Sequence, residues 1–204
     1  MKTELYLVRH GETQWNVLGK FQGSSNIDLS DTGIKQAEYL SMRFQNNYDI
    51  IYSSPLNRAL QTAKMISRNN PESKPIIHED LTEINFGDWE GLTFHQIMEQ
   101  YPSQFDAWKT DGSLMGGDLN VLSAGTRAKN AILEIVNNNA GRKIIAVAHG
   151  GIIKAGLVCL FDWKVPMYHS IFLDNTSVTK LIFTSNNNII LSTLNDTRHI
   201  PITE

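Results

Sequence analysis

Short apolar runs alternate with longer amphipathic stretches along this chain. The runs Glu4–Val8, Asp49–Ser53 and Lys143–Ala148 are apolar and rich in residues that favour β-structure, which predicts buried strands. Between them, apolar residues recur at about helical spacing. Strands that alternate with helices indicate an α/β fold. We predict a three-layer sandwich with a mostly parallel central sheet, helices on both faces and a small cap of helices and loops.

Capping residues mark the expected helix boundaries. One helix should begin at the N-cap Ser30 or Asp31, and the next at Ser54, with Pro55 as its first helical residue. Asparagine pairs are expected to end both helices. The remaining predicted elements are a short strand at 75–78, helices at about 122–137 and 151–160, and a C-terminal hairpin of 177–185 and 189–195.

Length and charge narrow the class of protein. The 204 residues contain no repeat of fixed period and no long linker, which predicts one domain, 1–204, with a cap insertion over about 84–120. A net charge of -3 excludes a dominant basic surface, so we expect neither nucleic acid nor a membrane as partner. The absence of a signal peptide-like apolar run favours a cytoplasmic location. A single cysteine cannot form an internal disulfide.

Two predicted strands end in a histidine followed by glycine, at Arg9-His10-Gly11 and at His149-Gly150-Gly151. Because ligands bind at the carboxyl ends of parallel strands, both histidines should lie at one edge of the sheet. The helix that begins near Gly151 should offer free N–H groups to an anion. Arg9, and Arg58 in the first turn of the helix after the second strand, would add guanidinium groups that suit phosphate or carboxylate.

Five ordered blocks resemble the histidine phosphatase superfamily, also called phosphoglycerate mutase-like. They are RHGET at 9–13, LSDTGIKQA at 29–37, SSPLNRALQTA at 53–63, LTEINFGDWEG at 81–91 and AHGG at 148–151. Residues 175–178 and the late hairpin look similar too. The first triplet alone is a weak signal, whereas five blocks in the same order are specific.

The resemblance implies a role for each matching residue. His10 matches the nucleophile that becomes phosphohistidine, and Glu83 matches the proton donor. The implied phosphate pocket comprises Arg9, Arg58 and His149, and the implied substrate contacts are Asn16, Gln22 and Gly150. No metal and no organic cofactor is implied. Phosphoryl transfer depends mainly on positioning and on stabilisation of negative charge, which arginine and histidine side chains can supply.

The family includes both mutases and phosphatases, and the cap region favours a phosphatase. Mutases of the family carry a longer, basic insertion, whereas only 65 residues separate Glu83 from His149, and Lys109 is the single basic residue between Glu83 and Asp118. We therefore predict a phosphomonoester hydrolase that acts on small phosphorylated metabolites. The alternatives are a cofactor-dependent phosphoglycerate mutase and an α-ribazole phosphatase. The expected partner is a small-molecule phosphomonoester, and a homodimer remains open.

Two features of the predicted cap leave the identity of the substrate undecided. Its aromatic residues either pack the cap or form an apolar entrance to the site; they are Phe86, Trp89, Phe94, Tyr101, Phe105 and Trp108. Asp118, within GGDLN at 116–120, stands where the family often has glutamate followed by serine.

The remaining acidic and histidine residues are not assigned to the site. Glu12 is interpreted as structural, and Glu90 as a surface or turn residue. His78, His169 and His199 lack the spacing of metal ligands.

Overall fold

A single mixed sheet organises the fold in this computed structural model, which describes residues 2–70, 73–114, 118, 120–186 and 188–201. The strands are β1 (Thr3–Arg9), β2 (Ile50–Ser53), β3 (Ile76–Ile77), β4 (Lys143–Ala148), β5 (Val178–Phe183) and β6 (Ile189–Asp196). The α-helices are α1 (Gln14–Val17), α2 (Asp31–Arg43), α3 (Asn57–Ser67), α4 (Phe94–Gln100), α5 (Pro102–Asp111), α6 (Val121–Asn138), α7 (Gly150–Leu160) and α8 (Met167–Ser170). Two short 3-10 helices lie at Glu79–Leu81 and Gly87–Trp89.

The sheet has the strand order β3-β2-β4-β1-β5-β6. The first four of these strands pair in parallel, and β5 and β6 add antiparallel pairs at one side. Arg9 at the end of β1 lies opposite Ala148 at the end of β4. His10 and His149 therefore leave the sheet at the same edge, as predicted.

Each face of the sheet carries its own apolar core, which confirms the three layers. Leu5 and Leu7 of β1 pack into a large cluster that includes buried residues of α6 and α7. Val8, on the opposite face of the same strand, packs with residues of α2 and α3. This division follows from the alternation of side chains along a strand. The two layers of helices fix the loops at the carboxyl edge between them.

The cap packs mainly through its aromatic side chains. Trp89 is fully buried, and Trp108 is 6 % exposed; their rings meet edge to face at 5.6 Å between centroids. Phe105 also belongs to the main core, whereas Phe94 is exposed. Phe86 and Trp108 belong to the same core, so four of the six rings are buried and the interpretation that most of them pack the cap is confirmed. Of the cap's C-terminal boundary, residues 115–117 and 119 lie outside the described residues.

One predicted helix boundary is wrong. Helix α3 begins at Asn57 rather than directly after Ser54, and its N-cap Leu56 has no side-chain capping hydrogen bond. The Ser54 hydroxyl lies 2.8 Å from Nε2 of the buried His149, so a tertiary contact uses the group that the local pattern assigns to a cap. The short helices α1 and α8 were not predicted, and the predicted C-terminal hairpin is confirmed. No helix among the described residues has the length and apolar character needed to cross a membrane.

Candidate active site

A cavity of about 270 Å³ opens at the carboxyl edge of the sheet. Seven of the eight predicted site residues line it: Arg9, His10, Asn16, Gln22, Arg58, Glu83 and Gly150. The eighth, His149, lies behind the wall, and its ring centroid is 5.1 Å from that of His10. The topology thus brings together residues that are far apart in the sequence.

His10 presents one defined nitrogen to the cavity. Its Nδ1 lies 2.6 Å from the carbonyl oxygen of Gly11. Because a carbonyl oxygen can only accept a hydrogen bond, Nδ1 carries the proton and Nε2 keeps a free lone pair. The backbone is held as well, since Thr176 N and Asn175 Nδ2 both donate to the His10 carbonyl oxygen. His10 is therefore held in one orientation, with an unprotonated ring nitrogen available.

The surroundings of His10 favour its neutral form. Burial holds the pKa of His10 well below its usual value of 6.5, and the positive charges of Arg58 and Arg9 lower the pKa further. Desolvation and nearby like charge both disfavour an imidazolium ion. A neutral imidazole at physiological pH is the form that can attack phosphorus.

The two arginines contribute differently to the cavity. Arg9 Nη1 donates to the carbonyl oxygen of Leu173, while its buried Nε has no hydrogen-bond partner among the described residues. Arg58 is fully buried, and it donates from Nη1 to Ser25 O and from Nη2 to Gly23 O, both at 2.7 Å. An unpaired buried N–H donor is unfavourable, so Arg9 Nε favours a bound anion.

His149 orients Arg58 in this structure. The Nε of Arg58 donates to His149 Nδ1 at 3.1 Å, and His149 Nε2 lies 2.8 Å from the Ser54 hydroxyl. Burial and the positive charge of Arg58 hold the pKa of His149 well below 6.5. Both ring nitrogens are engaged, and the implied direct contact of His149 with phosphate stays a prediction.

Two amide side chains point their donors towards the cavity. Asn16 Oδ1 accepts from Thr13 N at 3.1 Å and from Asn175 Nδ2 at 3.2 Å. Gln22 Oε1 accepts from the Thr13 hydroxyl at 3.0 Å. With both amide oxygens used by the protein, the NH₂ groups remain for an anionic ligand. Asn175 was not assigned a role from the sequence, although it lies in the similar segment 175–178.

Glu83 caps the first turn of α7, which corrects one expectation. Its Oε2 accepts from Gly151 N at 3.0 Å, and its Oε1 accepts from Ile152 N at 2.7 Å and from Ile84 N at 2.9 Å. The free N–H groups predicted to await a substrate anion are thus taken by a carboxylate of the protein. A Cβ atom on Gly151 would lie 2.7 Å from Glu83 Oε1, so a larger residue there would displace the Glu83 carboxylate. 

The segment that carries Glu83 is held on both sides. Arg127 Nη1 donates to Asp80 O at 3.0 Å and to Thr82 O at 2.9 Å. Asp118 Oδ2 accepts from Asn85 N at 2.9 Å and pairs with Arg127 Nη2 at 3.3 Å. Asp118 therefore reaches the Glu83 segment even with the shorter side chain. We call Arg127 and Asp118 the clamp.

Glu90 has a more specific position than the surface or turn assigned to it. Its Oε1 accepts from Ser24 N at 2.8 Å, and its Oε2 accepts from the Ser25 hydroxyl at 2.6 Å and from Ser25 N at 3.1 Å. Arg58 binds the carbonyl oxygens of Gly23 and Ser25 in the same loop. The loop 23–25 thus lies between Glu90 and Arg58 and is hydrogen-bonded to both.

The sequence analysis also missed Lys154, which lines the cavity together with Tyr168 and the cap residues Phe86 and Trp108. The available signal was a charged residue inside the otherwise apolar stretch 151–161, one helical turn after Gly150. Phe86 and Trp108 thus line the cavity, as expected if some cap aromatics form an apolar entrance to the site. Among the described residues, no group of three or more histidine, cysteine or acidic side chains is placed to hold a metal ion.

A family profile described as Histidine phosphatase superfamily (branch 1) matches residues 5–197. The chain belongs to the histidine phosphatase superfamily. Because the match spans almost the whole sequence, it includes the cap, the clamp and the C-terminal hairpin of this histidine phosphatase. The predicted family is confirmed, and with it the predicted class of enzyme, a phosphatase.

The similar proteins include phosphatases and a mutase. Phosphoserine phosphatase 1 of Hydrogenobacter thermophilus is 32% identical over 202 residues, which cover 97% of this chain and 94% of the relative. A crystal structure of phosphoserine phosphatase from Entamoeba histolytica in complex with 3-phosphoglyceric acid has a TM-score of 0.89 and 36% identity, with 97% of this chain and 98% of that chain covered. A 2,3-bisphosphoglycerate-dependent phosphoglycerate mutase of Cytophaga hutchinsonii is 31% identical over 163 residues, 74% of each chain.

Proposed function

We propose that this histidine phosphatase hydrolyses phosphomonoesters of small metabolites through a phosphorylated His10. The observation that carries the proposal is the fixed tautomer of His10, whose Nδ1–H is bound to Gly11 O while Nε2 faces a cavity lined by two arginines. That arrangement supplies a nucleophile and a place for the negative charge of a phosphoryl group.

In the first step His10 Nε2 attacks phosphorus, and the bond between phosphorus and the ester oxygen breaks. Arg9 and Arg58 stabilise the equatorial oxygens of the phosphoryl group, and the amide groups of Asn16 and Gln22 donate to it. Glu83, as a carboxylic acid, gives its proton to the leaving oxygen, so that an alcohol departs.

In the second step a water molecule attacks the phosphorus of phosphohistidine. The Glu83 carboxylate takes a proton from that water as the P–N bond breaks, which regenerates neutral His10 and the protonated Glu83. Inorganic phosphate then leaves the cavity. Each group returns to its starting state, so the cycle needs only the ester and water.

The cavity favours small substrates. Its volume of about 270 Å³ is near the lower limit of the usual range for ligand sites. Phosphoserine and 3-phosphoglycerate are the first candidates, since relatives of high coverage are phosphoserine phosphatases. A bulky nucleoside-like ester such as α-ribazole phosphate is a poorer match to this volume. We include in the proposal that the protein acts in the cytoplasm and that its partner is a small-molecule phosphomonoester.

The proposal is tested with the purified protein and a panel of phosphomonoesters in the presence of a chelator. We expect release of phosphate, loss of more than about 10³-fold in kcat for His10→Ala, and an acid-labile phosphoryl group trapped on the wild type alone. Full activity of His10→Ala would exclude the phosphohistidine route. A coupled assay with 3-phosphoglycerate and 2,3-bisphosphoglycerate tests the mutase alternative, and isomerisation faster than phosphate release would favour the mutase.

A further inference from the structure

Lys154 lies on the cavity side of α7. It follows Gly150 by four residues, and side chains at this spacing share one face of a helix. Gly150 faces Arg9, because a Cβ atom on Gly150 would lie 3.3 Å from Arg9 Nε. Lys154 is accordingly among the residues that line the cavity. The lysine therefore stands about one helical turn beyond the arginine that faces the phosphoryl group.

Among the described residues, no carboxylate forms an ion pair with the ammonium group of Lys154. Its Nζ lies 4.2 Å from the ring centroid of the buried Tyr168, and it makes no ion pair or hydrogen bond within the part of the chain that the structure describes. Burial lowers the pKa of Lys154 to about 8; the negative charge of Glu83 opposes this, and Arg9 and Lys109 add to it. A nearby anion stabilises a half-buried cation of this kind, because it compensates for the lost hydration of the charge.

We infer that Lys154 forms a second anion subsite, which binds the carboxylate of a phosphorylated small hydroxy acid or amino acid. This inference rests on the proposed function, because it names the substrate class of the same cavity. Four residues of helix separate Gly150 from Lys154 by roughly 6 Å along the axis. Four bonds separate phosphorus from the carboxyl carbon in 3-phosphoglycerate and phosphoserine, a span of roughly 5 Å when extended.

Lys20 is the other lysine of the cavity, and it is less suited to this subsite. It lies in the loop after α1, half-buried, with its Nζ 5.8 Å from the ring centroid of Trp15. Its partial exposure at the rim leaves water to stabilise its charge, so Lys20 gains less from an anionic ligand than a more buried lysine would. Lys154 instead lies in helix α7 between the buried residues Ile153 and Ala155. Their packing fixes the backbone from which the Lys154 side chain extends.

A matched pair of substrates isolates the carboxylate. The pair is 3-phosphoglycerate and glycerol 3-phosphate, which differ only in a carboxylate against a hydroxymethyl group. We expect Lys154→Met to lower kcat/KM for 3-phosphoglycerate by about 10- to 100-fold, mainly through KM, the range of a lost hydrogen bond to a charged group. The same variant should change kcat/KM for glycerol 3-phosphate by less than about 3-fold. Lys154→Arg should retain most of the preference, and Lys35→Met, at an exposed position on α2, should match the wild type.

Binding gives a second readout that is independent of turnover. In a His10→Ala background, calorimetry should show that Lys154→Met weakens the binding of 3-phosphoglycerate and leaves the affinity for glycerol 3-phosphate nearly unchanged. Equal losses for both ligands would overturn the carboxylate subsite while the phosphatase stands. A wild type that hydrolyses no phosphomonoester would overturn the proposed function, and the calorimetric comparison would still decide the subsite. Lys154→Gln, which also removes the positive charge but keeps a polar end, provides the same comparison if the methionine variant does not fold.

Discussion

Arg58 Nε donates a hydrogen bond to His149 Nδ1 at 3.1 Å, between two fully buried side chains that lie 91 positions apart in the sequence. An arginine is always a donor, so His149 must accept through a neutral nitrogen. The bond therefore ties the orientation of Arg58 to the protonation state of His149. A proton on His149 Nδ1 would break it and place two positive charges side by side.

Folding stability should therefore fall on the acid side of neutrality. Burial and Arg58 hold the pKa of His10 and of His149 well below 6.5 in the fold, whereas unfolded histidines titrate near 6.5. The unfolded chain then binds more protons below pH 6.5, so the free energy of unfolding is highest above that pH and decreases as the pH falls. Each histidine contributes up to about 1.4 kcal/mol per pH unit in this range.

Urea unfolding at pH 7.5, 6.5 and 5.5 measures this dependence. His149→Gln should show a shallower decrease than the wild type, since one buried titrating group is gone. His95→Gln is the matched control, because the side chain of His95 is 79% exposed. An identical pH dependence for His149→Gln and the wild type would contradict the assignment of a neutral His149.

Glu83→Gln should affect poor leaving groups most. A glutamine cannot give a proton to the departing alkoxide, whereas an activated aryl oxide leaves without one. We expect kcat to fall by roughly 10²–10⁴-fold with an alkyl phosphate and much less with p-nitrophenyl phosphate, measured as phosphate release. Glu99→Gln, at an exposed position of α4, is the control. Equal losses on both esters would exclude Glu83 as the proton donor.

Arg127→Met should act through Glu83. The variant removes two hydrogen bonds to the carbonyl oxygens of Asp80 and Thr82, which precede Glu83, and the pair with Asp118. We expect a drop of about 10-fold in kcat with KM little changed, because Arg9 and Arg58, which line the cavity, keep their contacts. The loss should be larger for alkyl than for aryl esters, as it is for Glu83→Gln. A change confined to thermal stability would indicate a purely structural clamp.

Glu90→Gln should weaken phosphate binding. An amide in place of this carboxylate sets an NH₂ donor against the N–H and hydroxyl donors of Ser24 or Ser25, which loosens the loop that holds Arg58. We expect KM and the inhibition constant of inorganic phosphate to rise together by about 10-fold. Asp88→Asn, an exposed change two residues away, should leave both constants at the wild-type level. An unchanged inhibition constant in Glu90→Gln would show that Glu90 does not affect phosphate binding through Arg58.

Local patterns predicted most of the elements correctly. The apolar runs located β1, β2 and β4, and helical spacing located α2, α6 and α7 to within a few residues. These predictions succeed because secondary structure follows from side-chain periods over a few neighbouring residues. The strand-end position of His10 and His149 likewise placed both at one edge.

The sequence by itself determined most of the elements, though not the short helices α1 and α8. It also determined the family to which the chain belongs and most of the residues gathered at the edge of the sheet. Only the tertiary structure decided how those residues are used: Ser54 faces His149 instead of capping α3, Glu83 occupies the N–H groups of α7 across 68 positions, and Lys154 lines the cavity. The physical reason is that hydrogen-bond partners and charge environments depend on strand order and packing between distant segments, whereas a periodic pattern records only the immediate neighbours.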